Sequence, residues 1–175
     1  MTTAATIEPT AGRRAATRAT PDAILCDGGA MAPVALDASL RQLHGYWRTL
    51  SPRGLPPQRS ALDPFEIREL LPRILLLQVV EDGEDFEYRI AGQEVENATG
   101  RSLRGLRLTD VAGRRGRDRV LDDYRRVALE GRPHFRRDRL EGGVRPMGFQ
   151  RLILPLHTGK AVTHIVGAMV FDGTC

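Results

Sequence analysis

Apolar residues follow a helical period in the first part of the chain, after a segment without any period. Over residues 36–50 they recur every three or four positions, which predicts an amphipathic helix. Asp63-Pro64 starts a second short helix, because Asp is a favoured N-cap and Pro a favoured first helical residue, and Pro72 ends it. Residues 1–34 are rich in Ala, Thr, Gly and Pro, and we expect a disordered tail there.

A period of two residues predicts β-strands in the middle and at the end of the chain. An apolar run over 74–80 and an alternating run over 86–90 flank the turn sequence Asp82-Gly83, and together they predict an antiparallel hairpin. The last third of the chain predicts three more strands, over residues 134–140, 149–156 and 163–171.

Helical patterns lie between the hairpin and the last three strands. Residues 93–99 predict a short helix that Gly100 ends, and residues 118–130 predict a longer one that Gly131 ends. This order predicts an α+β fold, with a five-stranded antiparallel sheet and helices on one face, preceded by the N-terminal amphipathic helix. We divide the chain into the tail (1–34), an N-terminal helical segment (35–72) and a main domain (73–173).

Several short segments carry a family resemblance. They are Trp47, Asp63-Pro64, Leu71-Pro72, Phe86-Glu87-Tyr88-Arg89-Ile90-Ala91-Gly92 and Arg151-Leu152-Ile153-Leu154-Pro155-Leu156. Together with the order of elements, they resemble small stand-alone bacterial PAS-type proteins over about residues 36–172. The resemblance implies a sensor or protein-interaction module that is commonly dimeric. It also implies that any ligand lies between the inner face of the sheet and the helices that cross it.

The charge of the chain is unevenly distributed. The net charge is +4, and 15 arginines stand against 7 acidic residues between Arg101 and Arg151. Such a region attracts nucleic acid, anionic lipid or an acidic partner, but we prefer a solvated surface. No apolar run reaches membrane-spanning length, so we expect no membrane partner and a cytoplasmic location. Cys26 and Cys175 are interpreted as free thiols.

The sequence contains none of the catalytic motifs that we sought. Gly-x-Ser-x-Gly, the P-loop and Gly-x-Gly-x-x-Gly are absent, and no histidines are paired at helical spacing. The acidic pairs are interpreted as turn and helix-surface charge; they are Glu81-Asp82, Glu84-Asp85 and Asp122-Asp123. We therefore expect no enzyme, no catalytic residues and no metal site.

The resemblance also allows known PAS cofactors to be tested. Haem-binding members place a histidine on the longer crossover helix, and residues 118–130 contain none. Members that form a flavin adduct need a cysteine in the crossover region, and none lies between Cys26 and Cys175. We therefore predict no cofactor, with His-ligated haem and Cys-adduct flavin disfavoured. Noncovalent flavin stays open, as does an iron ligand role for Tyr124.

The resemblance places a candidate ligand pocket under the longer helix. Its candidate residues are Tyr88, Ile90, Tyr124, Arg151, Leu152 and Leu154. An inward Arg151 would favour an acidic ligand, because a buried guanidinium needs a partner. The alternative, which we prefer for Arg151, is that this side chain points to solvent while the others fill the core.

Three functions follow from these observations. The first is a signalling module that binds itself or another signalling protein, with the first helix as a dimer seam formed by Leu36, Leu40, Leu43 and Trp47. The same stripe could instead pack on the protein's own sheet. The second function is a small-metabolite sensor. The third and least favoured is nucleic-acid binding by the arginines, with Tyr124 and Phe135 as the aromatics available for base stacking.

Overall fold

The computed structural model describes residues 24–26, 29–31, 36–51, 55–113, 116–141 and 143–173. Seven strands lie in the described part: β1 (Ile24–Cys26), β2 (Gly29–Met31), β3 (Ile74–Val80), β4 (Asp85–Ala91), β5 (His134–Leu140), β6 (Met147–Thr158) and β7 (Ala161–Phe171). The α-helices are α1 (Ala38–Thr49), α2 (Gln93–Thr99), α3 (Leu108–Val111) and α4 (Arg117–Glu130). Segments with 3₁₀ character span Arg59–Ala61, Pro64–Arg73, which is kinked at Ile67, and Glu81–Gly83.

The strands form one sheet in the order β2-β1-β5-β6-β7-β3-β4. The five strands from β5 to β4 pair with one another only in the antiparallel direction, which confirms the predicted five-stranded sheet. The predicted hairpin is β3 and β4, joined by the segment Glu81–Gly83. Glu81 and Asp82 have φ values of 51° and 53°, so they turn the chain in the left-handed region.

Two glycines end the helices that cross the sheet. Gly100 follows α2 with φ 76°, and Gly131 follows α4 with φ 63°. Each amide donates to a carbonyl four residues earlier, which closes the last turn of the helix. The helix bounds predicted from periodicity and glycine position therefore agree with the structure to within one residue.

The helices between β4 and β5 lie on one face of the sheet, as the sequence predicts, and the N-terminal helical segment covers the other face. We call the face under α2, α3 and α4 the inner face; its core includes Leu77, Tyr88 and Ile153. We call the opposite face the outer face, and there α1 and the segment Pro64–Arg73 pack on a second core. The strands of the middle of the sheet are apolar on both sides, which is why β6 is buried over most of its length.

The predicted dimer seam lies inside this outer core. Leu36, Leu40, Leu43 and Trp47 are all buried in the single chain. The Trp47 indole Nε1 donates a hydrogen bond to the carbonyl oxygen of Pro155 in β6, at 2.8 Å. These side chains are therefore not an exposed seam; the structure instead agrees with the alternative that the stripe packs on its own sheet.

Part of the predicted disordered tail forms strands. Over Ile24–Cys26 and Gly29–Met31 the chain makes an antiparallel pair, β1 with β2. Leu25 of β1 pairs in parallel with His134 of β5, so the pair extends the sheet beyond β5. The Ile24 side chain is fully buried in the outer core, which explains why this segment packs despite its lack of period. The rest of the predicted tail lies outside the described residues.

Candidate functional site

A cavity of about 500 Å³ lies between the inner face of the sheet and the helices that cross it. Its walls are mainly aliphatic and aromatic side chains from α2 to α4 and from the strands, among them Leu103, Leu108, Val120, Phe149 and Met169. Cavities that bind small organic molecules have volumes of about 300–1,000 Å³ and similar walls. The cavity is therefore large enough, and apolar enough, for such a molecule.

Three of the six predicted pocket residues line this cavity: Tyr88, Tyr124 and Arg151. Leu152 and Leu154 do not, because both are buried in the outer core under α1. Successive side chains of a strand point to opposite faces, so Arg151 and its neighbour Leu152 cannot both face the cavity. The interpretation that placed Leu152 and Leu154 beside Arg151 in the pocket was wrong.

Ile90 is also outside the cavity, and its side chain is 45% exposed. The strand register shifts at this point: Tyr88 is opposite Leu77, whereas Ile90 is opposite Leu76. Arg89 is thus the extra residue of a β-bulge, which breaks the alternation. Because directly opposite residues share a face, Ile90 lies with Leu76 on the outer face and at the sheet edge.

A buried ion cluster lies next to the cavity, between α4 and the strands β5 and β6. Asp123 of α4 accepts hydrogen bonds from both Arg136 and Arg151. Arg136 binds it through Nε and through Nη2, the latter at 2.5 Å, which is a two-point contact. All three side chains are nearly completely buried. Arg151, which we expected to point to solvent, is therefore part of the interior.

The charged groups of the cluster are two arginines and the acidic residues beside them. Two guanidinium groups, of Arg136 and Arg151, face the single buried carboxylate of Asp123. His134 Nε2 lies 3.6 Å from Asp123 Oδ1, and burial lowers the pKa of this histidine despite the nearby carboxylate. His134 is thus neutral at pH 7 and adds no charge. Asp138, which is partly exposed, lies 3.9 Å from Arg136 Nη1.

Arg151 is the member of the cluster that also lines the cavity. Its Nη2 binds Asp123, and its Cζ lies 5.0 Å from the ring centroid of Tyr124. Its Nε is buried and has no hydrogen-bond partner among the described residues. A buried donor without a partner is costly, so this nitrogen is a point where an acceptor group would bind favourably.

Two further arginines of the cavity, Arg119 and Arg139, are exposed and lie at its mouth. Arg119 pairs with Asp138 at 2.8 Å, and Arg139 pairs with Glu141 at 3.7 Å. Each pair contains an exposed arginine, so solvent screens it. Arg151 differs from them because it is 4% exposed, so its charge acts in a less polar environment.

The two tyrosines of the cavity remain uncharged. Burial raises the pKa of both Tyr88 and Tyr124 above the ordinary value, and Arg151 opposes this rise only in part. Tyr124 also packs against Phe86, with ring centroids 5.3 Å apart. Both tyrosines therefore act as apolar walls with a neutral hydroxyl. Within the described ranges, no three His, Cys, Asp or Glu side chains are grouped to hold a metal ion.

The sequence interpretation missed Asp123, Arg136 and His134. It read the acidic pairs as surface charge, yet Asp123 and Asp85 are both buried. Asp85 accepts a hydrogen bond from the hydroxyl of Thr109, which ties α3 to β4. For Asp123 the sequence pattern did indicate burial. This residue lies three positions after Val120 and four before Val127, on the apolar face of α4.

Tyr124 and Phe135, the aromatics considered for base stacking, are both buried. Neither ring is therefore available to stack on a nucleic-acid base. None of the helices in the described part of the chain has the length and apolar character needed to cross a membrane.

Comparisons with known proteins agree with this architecture. A model of the PAS domain family matches residues 36–170, whereas no curated protein matches the chain. One similar solved structure is described as "Flavin Analogue Sheds Light on Light-Oxygen-Voltage Domain Mechanism". It has 17% identity and a TM-score of 0.44, and the match covers 65% of this chain and 88% of that chain. Because the family match spans most of the sequence, the chain belongs to the PAS domain family, a family of signalling and sensory modules.

Proposed function

We propose that this protein is a sensor that binds a small organic molecule in the cavity under α4. The observation that carries the proposal is the cavity itself, with a volume of about 500 Å³ and mainly apolar walls. The cavity is open at its mouth, so its apolar walls contact water, and a bound molecule would bury them. The small-metabolite sensor, the second function considered from the sequence, is thus the first choice.

The structure also favours the sensor over the protein-interaction module. The protein-interaction hypothesis relied on an exposed stripe of α1, and the Leu40 and Leu43 side chains of that stripe are buried in the outer core. Association with itself or with a second signalling protein remains part of the proposal, through other surfaces. We also propose that the protein acts by binding and not by catalysis.

Ligand binding would act on α4 because this helix forms one wall of the cavity. Val120 and Tyr124 of α4 face the cavity, while Leu75 and Met169 line it from the sheet. A molecule between them contacts both layers and stabilises the state in which they are together. A change of position or mobility of α4 is therefore the proposed output.

The proposal can be tested with a variant that fills the cavity. Val120→Trp adds bulk from α4, and Leu129→Trp is the matched control, because Leu129 is on the same helix and 86% exposed. Native mass spectrometry of the purified chain and thermal shifts with a metabolite panel give the readout. We expect a bound molecule, or a compound that raises the melting temperature, with the wild type and Leu129→Trp but not with Val120→Trp.

Two results would overturn the proposal. One is a wild-type protein that carries no small molecule and is stabilised by no compound of the panel. The other is a stabilisation that Val120→Trp leaves unchanged, because binding would then occur outside the cavity.

A further inference from the structure

Most polar side chains that line the cavity are already engaged within the protein. The Thr99 hydroxyl donates to the carbonyl oxygen of Val95 in its own helix, at 3.0 Å. The guanidinium of Arg151 binds the carboxylate of Asp123, so the partner that a buried guanidinium needs comes from α4. An acidic ligand, which the sequence led us to consider for an inward Arg151, is therefore not needed as its partner.

Two buried hydroxyls of the cavity have no such partner. Tyr88 of β4 is 5% exposed and Tyr124 of α4 is 1% exposed, and both line the cavity. Within the described residues, no group hydrogen-bonds to either hydroxyl, and neither oxygen is completely enclosed by protein atoms. A buried hydroxyl without a hydrogen bond costs free energy, which a polar group of a ligand would recover. The two hydroxyls therefore offer a hydrogen-bonding site inside the cavity.

The two hydroxyls belong to different walls of the cavity and act on each other. Tyr88 lies on the sheet and Tyr124 on the helix that crosses it. Burial is the main reason that the pKa of Tyr88 lies above its ordinary value, and the nearby Tyr124 raises this pKa further. Tyr124 also lies beside Arg151, whose Nε is buried without a partner in the described part of the chain and can only donate. Two neutral hydroxyls and a donor together favour a ligand that accepts hydrogen bonds.

From these observations we infer that the sensed molecule is a neutral carbonyl compound, whose oxygen accepts hydrogen bonds from Tyr88 and Tyr124 while its apolar body fills the cavity. This inference rests on the proposed sensor function and names the class of its ligand. A carbonyl oxygen has two lone pairs, so it accepts from both hydroxyls at once. A neutral group suits this place because neutral hydroxyls supply no counterion, and an ion buried without one is costly. The bound oxygen would link the sheet to α4, the proposed output element.

The first test uses the wild-type protein and ligands of matched shape. Acetophenone and benzophenone are titrated by NMR spectroscopy beside their methylidene analogues, in which a CH₂ group replaces the oxygen, and benzoate is the anionic analogue of acetophenone. We expect each ketone to bind about fivefold or more tightly than its methylidene analogue, as for one or two net hydrogen bonds, and benzoate to bind more weakly than acetophenone. No binding by either ketone, equal affinity of ketone and methylidene analogue, or tighter binding of benzoate would overturn the inference.

The second test removes each hydroxyl and keeps its ring. Tyr88→Phe and Tyr124→Phe should each weaken ketone binding by about twofold to tenfold and leave binding of the methylidene analogue unchanged. The control is Tyr46→Phe, because Tyr46 is the third tyrosine of the chain and its hydroxyl accepts a hydrogen bond from the amide of Asp63, outside the cavity. It should change neither ligand. A loss that ketone and methylidene analogue share would mean that the ring shapes the cavity and the hydroxyl does not bind, which contradicts the inference.

The carbonyl stretch of the bound ketone reports the same contact directly. This vibration moves to lower frequency when the oxygen accepts hydrogen bonds. Infrared spectra of acetophenone with an isotope-labelled carbonyl should therefore show a lower frequency in the wild type than in the double variant of Tyr88→Phe and Tyr124→Phe. The same frequency in both proteins would show that the oxygen lies elsewhere.

The melting temperature of the free protein separates a binding role from a role in folding. Because neither cavity hydroxyl has a partner within the described residues, Tyr88→Phe and Tyr124→Phe should keep or raise the melting temperature, whereas Tyr46→Phe should lower it through the lost bond to Asp63. A fall in both cavity variants would show that these hydroxyls serve the fold and would contradict the inference.

These tests keep the sensor function and the ligand class apart. If neither ketone binds but a compound of another class gives a thermal shift that Val120→Trp abolishes, the sensor function stands and the ligand class is wrong. If no compound at all binds in the cavity of the wild type, both are wrong.

Discussion

Arg136 and Arg151 lie directly opposite each other on the antiparallel strands β5 and β6, and both side chains reach the same carboxylate. Like charges at directly opposed positions of a sheet normally repel each other. Here Asp123 of α4 lies between them and accepts hydrogen bonds from both. One acidic residue thus fixes α4 to two strands and makes a pair of buried arginines compatible with the core.

Removal of this carboxylate should strongly destabilise the fold. We expect Asp123→Ala to reduce the free energy of unfolding by about 3–5 kcal/mol, because it leaves two buried guanidinium groups without their shared counterion. Urea denaturation followed by circular dichroism measures the change. The control is Asp122→Ala, since Asp122 is the exposed preceding residue on the same helix, and a loss equal to that of the control would contradict the prediction.

A double-mutant cycle tests whether the residues act as one cluster. Asp123→Ala and Arg151→Met each remove one side of a contact, and the double variant retains one buried guanidinium instead of two. We therefore expect the double variant to be more stable than the sum of the single losses predicts, by about 1–3 kcal/mol. Additive losses would mean that the contact between the two residues contributes little.

His134 should make the stability depend on pH. Its side chain is 0% exposed, and burial, assisted by Arg151 and Arg136, lowers its pKa below the ordinary value of 6.5, although Asp123 opposes the shift. Below about pH 6.5 the unfolded chain therefore binds a proton that the folded chain does not. The free energy of unfolding should fall as the pH decreases through this range and be fully retained above it.

Urea denaturation at about pH 7.5 and about pH 5.5 measures this dependence. His134→Leu should reduce the difference between the two values, because it removes the titrating group from a site of similar size. His164 contributes separately. Burial lowers the pKa of this histidine too, and the nearby Arg59 and Arg89 lower it further. A His134→Leu variant with the full pH dependence of the wild type would contradict the assignment.

Local sequence pattern accounts for the elements better than for the site. The bounds of α2 and α4 follow from periodicity and from the terminal glycines Gly100 and Gly131. The hairpin of β3 and β4 follows from alternation on either side of a turn. These features depend on residues close in sequence, and the same information is enough to recognise the order of elements in the PAS fold.

The parts that the sequence did not predict depend on pairing between distant segments. Arg89 forms a β-bulge, and this bulge changes the face to which Ile90 points. An alternation with a period of two residues cannot show where the register of a strand shifts. The role of Asp123 depends on the register that places Arg136 opposite Arg151. The short strand Ile24–Cys26 has too few residues to show a period, and it forms because β5 offers a free edge.

The core position of α1 makes a prediction about Leu43, which is fully buried. We expect Leu43→Ala to lower the free energy of unfolding by about 2–5 kcal/mol, through lost burial and the cavity left behind. Denaturation followed by the fluorescence of Trp47, the single tryptophan of the chain, reports the change. Gln42→Ala is the control, because Gln42 is exposed on the same helix.

The protein concentration distinguishes a core role from a dimer seam. If Leu43 acts in the core, the loss is the same at all protein concentrations, and light scattering gives the same mass for variant and wild type. The opposite result would be a variant whose mass by light scattering differs from that of the wild type, while its free energy of unfolding as a single chain is unchanged. That result would show that Leu43 acts between chains.

Two glycines should respond in opposite directions to the same substitution. A Cβ atom at Gly92 would lie 2.3 Å from the carbonyl oxygens of Leu71 and Pro72, whereas one at Gly45 would meet no atom within 4 Å. Gly92→Ala should therefore lower the free energy of unfolding by about 1–3 kcal/mol, because the end of β4 packs against backbone that cannot yield easily. Gly45→Ala, on the exposed side of α1, should raise it by about 0.5–1 kcal/mol, since alanine restricts the unfolded chain and favours the helix.

Thermal and urea denaturation of the two variants, side by side, measure both effects. The pair separates steric contact from the general effect of alanine, because each variant adds the same methyl group. Destabilisation by both substitutions would mean that the exposed face of α1 at Gly45 is covered by another molecule. A stable Gly92→Ala variant would mean that β4 and the segment Pro64–Arg73 can move apart, which would loosen the sheet edge that carries Tyr88 of the cavity.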